Sequence, residues 1–249
     1  MLGGAAKGTF ARLDQDEASF ELYYKPLQDF VKEKNLDGLD LDVEEEMSLS
    51  GIIRLIDRLK ADFGEDFLIT LAPVATALIF DDPRCNLSGF SYEALEVMRG
   101  NKIAWYNTQF YCGWGDMSNT NNFDQIMAHG YPANKIVIGL VTNPKNGNGW
   151  ISHDVLQEVL INLKARYPNF GGIMGWEYFN SLPGGCKTPW KWAANMTHYI
   201  RSDISIDSAQ IFAMLRSSEQ SANSEIDSHL ENEAPMPNSF EYISDIDEV

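Results

Sequence analysis

The sequence has little positive charge and no long hydrophobic run. Its 249 residues include 19 Lys and Arg against 36 Asp and Glu, which gives a net charge of −17. Binding to nucleic acid depends on Lys and Arg that neutralise phosphates, so this composition argues against a nucleic-acid partner. No run of 18 apolar residues occurs, and we therefore predict no membrane-spanning helix.

Cysteine is also scarce, and no leader is recognisable. Cys85, Cys112 and Cys186 show no metal-binding spacing, and their odd number allows at most one disulfide within the chain. The first residues, MLGGAAKG, lack the basic and apolar regions of a signal peptide. Asn86 and Asn195 lie in N-glycosylation patterns, which are typical of secreted proteins. These features do not decide the cellular location of the protein, and we expect a full-length form to be secreted.

Strand-like and helix-like segments alternate along the first 202 residues. Helical periodicity covers about 16–34 and 153–167, and short apolar runs typical of buried strands occupy 67–72 and 135–140. Six strand and helix pairs follow one another, and the GxGxxG turn of a dinucleotide-binding sheet does not occur. We therefore predict an α/β protein with a (β/α)8 TIM barrel rather than a doubly wound sheet.

The composition changes after residue 202. Residues 203–249 contain eleven acidic residues, the single base Arg216 and few apolar side chains. A segment with high charge and low hydrophobicity cannot bury enough apolar surface to fold. We predict a barrel domain at 1–202 and a disordered acidic tail at 203–249.

The acidic stretch DGLDLDVE, residues 37–44, gives the strongest functional signal. On a strand, Asp40, Asp42 and Glu44 share one face, and the aliphatic residues between them face the other way. Such closely spaced like charges indicate a site where a proton is shared or a pKa is raised. The alternatives are a solvated strand face and a calcium loop. The calcium loop fits poorly, because the Gly and the final Glu of an EF-hand loop are missing.

Several motifs resemble glycoside hydrolase family 18, which contains chitinases and endo-β-N-acetylglucosaminidases. DGLDLDVE fits the family signature DxxDxDxE, WYNTQFY (105–111) resembles the sixth strand, and GGIMGW (171–176) resembles the eighth. The opening MLGG resembles the end of the third strand, so the first two βα units are absent from this chain. The resemblance covers residues 1–202 and implies a barrel truncated to about six βα units. We expect such an incomplete sheet to be poorly soluble, oligomeric or nearly inactive.

The resemblance also implies catalytic roles and a retaining mechanism in which the substrate's 2-acetamido group is the nucleophile. Glu44 is the expected general acid and, later, the base. Asp42 is expected to orient the acetamido N–H, while Asp40 shares a proton with Asp42. Tyr111 is expected to donate a hydrogen bond to the acetamido oxygen.

Three further residues are predicted to bind the substrate. Trp176 is expected to stack under the sugar, and Gln109 lies on the same strand face as Tyr111 by parity. Asn107, in the same motif, completes the predicted set. No cofactor and no metal ligand are predicted.

The substrate class is left between alternatives. The acidic motif followed by EEMSL, together with QFYCGWG, resembles fungal endoglycosidases more than chitinases. This resemblance favours an endo-β-N-acetylglucosaminidase that cleaves the chitobiose core of N-glycans. An endochitinase acting on chitin oligosaccharides would use the same residues. A non-catalytic sugar-binding protein is the third possibility: the missing strands favour it, and the presence of Glu44 argues against it.

Overall fold

The structure is a computed structural model that describes residues 1–201. Within these residues, six parallel strands form one sheet whose spatial order follows the chain order. The strands are Leu2–Gly3 (β1), Gly38–Asp42 (β2), Leu68–Leu71 (β3), Trp105–Gln109 (β4), Ile136–Val141 (β5) and Gly172–Trp176 (β6). The α-helices are Phe10–Leu13 (α1), Glu17–Glu33 (α2), Leu49–Phe63 (α3), Thr76–Ile79 (α4), Tyr92–Arg99 (α5), Asn121–Ala128 (α6), His153–Arg166 (α7) and Trp190–Arg201 (α8). Short 3₁₀ helices occupy Pro83–Cys85, Gly100–Lys102, Ala133–Lys135 and Gly185–Lys187. The predicted acidic tail, residues 203–249, lies outside the described residues.

The predicted βα alternation is confirmed, with the sheet spanning six strands. In residues 1–201, β1 pairs with β2 alone and β6 with β5 alone, so both are edge strands. Strand β5 is buried along its whole length, as expected for a parallel strand covered by helices on one face and core side chains on the other. Because every connection is a crossover between parallel strands, the carboxyl ends of all six strands meet at one end of the sheet.

Two short helices were not predicted. Helix α1 and helix α4 each contain four residues, which is too short for a helical period to appear in the sequence. Helix α4 lies inside the segment 73–92, which the sequence indicated as a long connection. These helices bury apolar side chains, including Phe10 and Leu78, and α4 packs against α5 and α6.

Helix α3 is fixed at its start by a polar contact with the segment before α2. The Ser48 hydroxyl caps the helix by accepting from the backbone N–H of Gly51 at 3.0 Å. The Asp14 carboxylate accepts from the Ser48 N–H at 2.8 Å and from its hydroxyl at 2.5 Å. A Cβ at Gly51 would lie 1.9 Å from an Asp14 oxygen, so this contact requires glycine. The turn that follows the acidic strand is therefore held firmly in place.

The outer surface of α2 carries exposed apolar side chains. Leu22 is 66% exposed and Phe30 is 51% exposed, and the two residues lie two helical turns apart on one side of the helix. This helix lies between the edge strand β1 and its partner β2, and the other edge of β1 has no partner strand in residues 1–201. The expected oligomerisation or poor solubility of the chain stays a prediction. In residues 1–201, no helix is both long and apolar enough to cross a membrane.

Candidate active site

A cavity of about 280 Å³ lies at the carboxyl ends of the strands, where barrels of this type place their chemistry. Five of the seven predicted site residues line it. They are Asp42, Glu44, Gln109, Tyr111 and Trp176. Asp40 and Asn107 lie on the same strands, but they do not line the cavity.

The side chain of Gln109 joins the two carboxylates of the cavity. Its Nε2 atom donates to Asp42 Oδ1 at 3.3 Å and to Glu44 Oε1 at 3.2 Å, and it lies 3.0 Å from the backbone oxygen of Ala72. Glu44 lies two residues beyond the end of β2, and its carboxylate lines the cavity together with that of Asp42. Gln109 therefore sets the relative position of the two acids.

Asp42 is held in an environment that favours its protonated form. The residue is 5% exposed. Burial, followed by the negative charges of Glu44 and Asp40, raises the pKa of Asp42 to about 7, and the amino terminus of Met1 acts in the opposite direction. A carboxyl group of this kind can hold a proton near neutral pH and release it when a neighbour accepts it.

Asp40 is anchored below Asp42 through one of its two oxygens. Its Oδ1 atom accepts from the Thr70 hydroxyl at 2.5 Å and from the Asn107 amide at 2.9 Å. Its Oδ2 atom is buried and has no hydrogen-bond partner among the described residues. Asn107, predicted to bind the substrate, is thus placed against an acid of the site.

Tyr111 follows β4, Trp176 ends β6, and both residues line the cavity. The Tyr111 hydroxyl has a pKa above its usual value, because the residue is buried and the charges of Asp42 and Glu44 oppose its ionisation. Trp176 ends β6 and is 43% exposed, although its backbone oxygen accepts from the Thr142 N–H at 2.8 Å. The indole is therefore open to a ligand while its backbone is fixed.

Two glycines allow the end of β1 to pass close to Asp42. Gly3 has φ of +93°, and a Cβ there would lie 2.3 Å from the Asp42 backbone oxygen. The next residue, Gly4, donates its backbone N–H to that same oxygen at 2.9 Å. Only glycine adopts this backbone conformation without strain while leaving room for the neighbouring strand.

Glu45, next to the predicted acid, has a different role. Both of its carboxylate oxygens accept backbone hydrogen bonds at 2.7 Å, one from Gly8 and one from Phe10. The residue is 7% exposed. Its carboxylate therefore connects the segment after β1 to the end of β2, and it faces away from the cavity.

Sequence reasoning missed several residues of the cavity wall. Met174 lies two residues before Trp176 and shares its strand face, so the alternation of side chains could have identified it. Leu87 comes from the long connection after β3, where the sequence gave no such signal. Cys112 follows Tyr111 in the next loop.

The acids of the site are hydrogen-bonded to neutral donors. In the part of the chain that the structure describes, no group of three or more His, Cys, Asp and Glu side chains is arranged to hold a metal ion. Asp40 instead has its Oδ1 occupied by neutral donors, and Asp42 and Glu44 share the Gln109 amide.

Comparison with known proteins gives several matches. No protein-family model matches the sequence. The chain is 52% identical to a fungal endo-β-N-acetylglucosaminidase of glycosyl hydrolase family 18, with a TM-score of 0.77 over 81% of this chain and 71% of that one. It is 56% identical to the chitinase ChiC from Aspergillus fumigatus, with a TM-score of 0.70 over 78% of this chain and 69% of that one.

A curated relative matches more distantly. Chitinase 2 of Rhizopus oligosporus is 27% identical over 149 residues, which are 57% of this chain and 25% of that protein. The chain thus spans about a quarter of the length of this relative.

The parallel βα fold, with paired acids at the carboxyl end of a central strand, is that of a barrel-type glycoside hydrolase. Both solved structures exceed 50% identity and are matched over more than two thirds of their length. The chain belongs to glycoside hydrolase family 18. The resemblance inferred from the acidic motif and the two later strands is therefore confirmed.

Proposed function

We propose that this protein is a glycoside hydrolase that cleaves β-1,4 linkages between GlcNAc residues, with residues 1–202 as its catalytic unit. In this proposal Glu44 is the general acid and base, and the 2-acetamido group of the substrate is the nucleophile. The observation that carries it is the Gln109 bridge, in which one amide nitrogen donates to both Asp42 and Glu44 at the cavity wall.

The arrangement of the two carboxylates favours participation by the substrate. A retaining enzyme with its own carboxylate nucleophile places acid and nucleophile on either side of the bond, about 5–5.5 Å apart. Here Asp42 and Glu44 are two residues apart and share one donor nitrogen. Among the described residues that line the cavity, they are the only carboxylates. A nucleophile supplied by the substrate fits this one-sided arrangement.

The first chemical step forms a cyclic intermediate. Glu44 protonates the glycosidic oxygen while the acetamido carbonyl oxygen attacks the anomeric carbon. Asp42 passes its proton to Asp40, accepts the acetamido N–H and balances the positive charge of the oxazolinium ion. The Tyr111 hydroxyl donates a hydrogen bond to the acetamido oxygen, and its raised pKa keeps that hydroxyl protonated.

The second step returns the enzyme to its starting state. Glu44, now ionised, removes a proton from water as the water attacks the anomeric carbon, and the proton held by Asp40 returns to Asp42. The ring of the oxazolinium opens, and the product keeps the β configuration because the anomeric carbon is inverted twice. Trp176 stacks under the sugar in both steps.

The preferred substrate in this proposal is the chitobiose core of an N-glycan. The 52% identity with a fungal endo-β-N-acetylglucosaminidase supports it. Chitin is the second candidate, because the chain is 56% identical to the chitinase ChiC from Aspergillus fumigatus. Glu44 at the cavity wall argues against a protein that only binds sugar.

A substrate panel tests the proposal. The full chain is incubated with an N-glycopeptide and, separately, with chitin oligosaccharides, and the products are separated by mass spectrometry. Release of the glycan with one GlcNAc left on the peptide supports the endo-β-N-acetylglucosaminidase. Cleavage of the chitin oligosaccharides alone supports the endochitinase. Binding of either sugar without any cleavage would contradict a catalytic function.

A further inference from the structure

A polar layer lies one step below the cavity, inside the sheet. It connects three neighbouring strands, because Asp40 on β2 pairs in register with Thr70 on β3, and Thr70 pairs with Trp105 on β4. Asn107, two residues after Trp105, shares its strand face. None of these four side chains lines the cavity.

The hydrogen bonds of this layer converge, directly or through Asn107, on Asp40 Oδ1. The Thr70 hydroxyl donates to Asp40 Oδ1 at 2.5 Å and the Asn107 Nδ2 donates to the same atom at 2.9 Å. The Trp105 indole N–H in turn donates to Asn107 Oδ1 at 3.1 Å. Asp40 Oδ2 is left buried and without a hydrogen-bond partner among the described residues.

The indole determines which way the amide points. An Asn side chain has one oxygen that accepts and one nitrogen that donates, whereas the Trp indole can only donate. The amide oxygen must therefore face Trp105, and the amide nitrogen then faces Asp40. Reversing the amide would leave two donors opposed at Trp105 and two acceptors opposed at Asp40, so both hydrogen bonds would be lost.

We propose that Thr70 and Asn107 are positioning residues that occupy one oxygen of Asp40 and keep the other oxygen free for the proton of Asp42, with Trp105 fixing the Asn107 amide. The transfer breaks the O–H bond of Asp42 and forms an O–H bond on Asp40 Oδ2. Asp42 becomes a carboxylate that accepts the substrate N–H, and the negative charge moves from Asp40 to Asp42. This inference rests on the proposed function and gives Asn107 a role away from the substrate.

Kinetics of matched variants test the inference. Thr70→Val keeps the side-chain shape and removes the hydroxyl, whereas Thr70→Ser keeps the hydroxyl. With an aryl β-glycoside of chitobiose as substrate, Thr70→Val and Asn107→Leu should each lower kcat about tenfold, which is the scale of one hydrogen bond to a charged group. KM should stay within about twofold, and Thr70→Ser should retain most of the activity. Trp105→Phe should lower kcat about threefold, because it removes only an indirect contact.

A second background separates positioning from contact with the substrate. In an Asp40→Ala enzyme, adding Asn107→Leu should change kcat by less than about twofold, because the residue has lost the group through which it acts. A rise in KM caused by Asn107→Leu in both backgrounds would overturn the inference and assign Asn107 to substrate binding. Equal losses with Thr70→Val and Thr70→Ser would also overturn it.

A binding measurement distinguishes this inference from the proposed function. A thiazoline analogue of the oxazolinium intermediate is titrated into each protein by calorimetry, which needs no turnover. A wild-type protein that neither hydrolyses the glycoside nor binds the analogue would overturn both proposals. A wild-type protein that does both, with Thr70→Val and Asn107→Leu unchanged in kcat and affinity, would overturn the positioning role alone. Weaker analogue binding by these two variants supports it.

Discussion

The centre of the sheet and its two edges are built in different ways. In strands β2 to β4, the polar residues Asp42, Thr70 and Gln109 are buried, and hydrogen bonds join the strands through Asp40 and Gln109. At the edges, β6 is partly or fully exposed along its length, and the helix after β1 exposes Leu22 and Phe30. The polar side chains at the centre have hydrogen-bond partners within the described residues, whereas the edges expose apolar side chains to solvent.

This difference suggests separate tasks: the fixed acids at the centre suit catalysis, and the exposed β6 edge suits substrate binding. Electrostatic groups act efficiently when the fold holds them in place before the substrate arrives. The acids meet that condition, because burial and fixed donors set their positions. The exposed indole of Trp176 suits a sugar face, since an aromatic ring that packs against little protein is available to a ligand. Variants in the centre should therefore affect turnover or stability, and variants at the β6 edge should affect binding.

The largest expected effect comes from two neighbouring glutamates at the centre. Glu44→Gln should lower kcat by about 10²- to 10⁴-fold, because it removes the transferable proton and preserves the shape. Glu45→Gln should leave kcat within about twofold and lower the free energy of unfolding by about 2 kcal/mol, because an amide cannot accept both the Gly8 and Phe10 N–H groups.

Initial rates and denaturant unfolding measure the two quantities on the same samples. Near-normal turnover in the Glu44 variant would remove this residue from the mechanism. A stable but inactive Glu45 variant would contradict the structural role of Glu45 and would indicate that this residue takes part in catalysis.

The next effect is a pH dependence of stability that arises from Asp42. Its folded-state pKa is raised to about 7, whereas an unfolded Asp has a value of about 3.9. Between these values the folded state keeps a proton that the unfolded state has lost. This contribution to stability is therefore complete below about pH 4 and is lost as the pH rises through about 7.

The Asp42→Asn variant isolates that contribution, since all other titrating groups are unchanged. From about pH 4 to about pH 8, the free energy of unfolding of the wild type should fall by a few kcal/mol relative to the variant. Urea unfolding across this range gives both curves. Parallel curves would mean that Asp42 is not held in its protonated form by the centre of the sheet.

The smallest expected effect lies at the β6 edge. Trp176→Ala should raise KM about threefold to tenfold, on the scale of an aromatic stacking contact, and change stability by less than about 1 kcal/mol. Trp192 provides the control, because it packs against the core and approaches Gly175. Trp192→Ala should lower the melting temperature. A Trp176 variant that loses stability while keeping KM would place this residue in the core rather than at the binding surface.

Much of the fold could be predicted because its elements follow simple periodicities. The buried run of β5 and the helical spacing in α3 are local patterns, so no knowledge of neighbours is needed. The short helices α1 and α4 could not be predicted in this way. They form because their apolar side chains are buried against neighbouring helices, which is a tertiary effect.

The candidate site was predictable where its signal is local and not where its partners are distant in sequence. The alternation in β2 identifies Asp40, Asp42 and Glu44. The function of Glu45 depends on contacts 35 and 37 residues away, and the contact between Asn107 and Asp40 spans 67 residues. A single sequence contains no pattern that identifies such pairs. The roles of Glu45 and Asn107 could therefore not be assigned from it.

The anomeric form of the first product tests substrate participation most directly. The protein is mixed with a GlcNAc oligosaccharide in an NMR tube, and the anomeric proton signals are followed before mutarotation mixes them. We expect the β anomer to appear first, and we expect no reaction with the matching glucose oligosaccharide, which lacks the 2-acetamido group. Initial appearance of the α anomer would contradict a nucleophile supplied by the substrate.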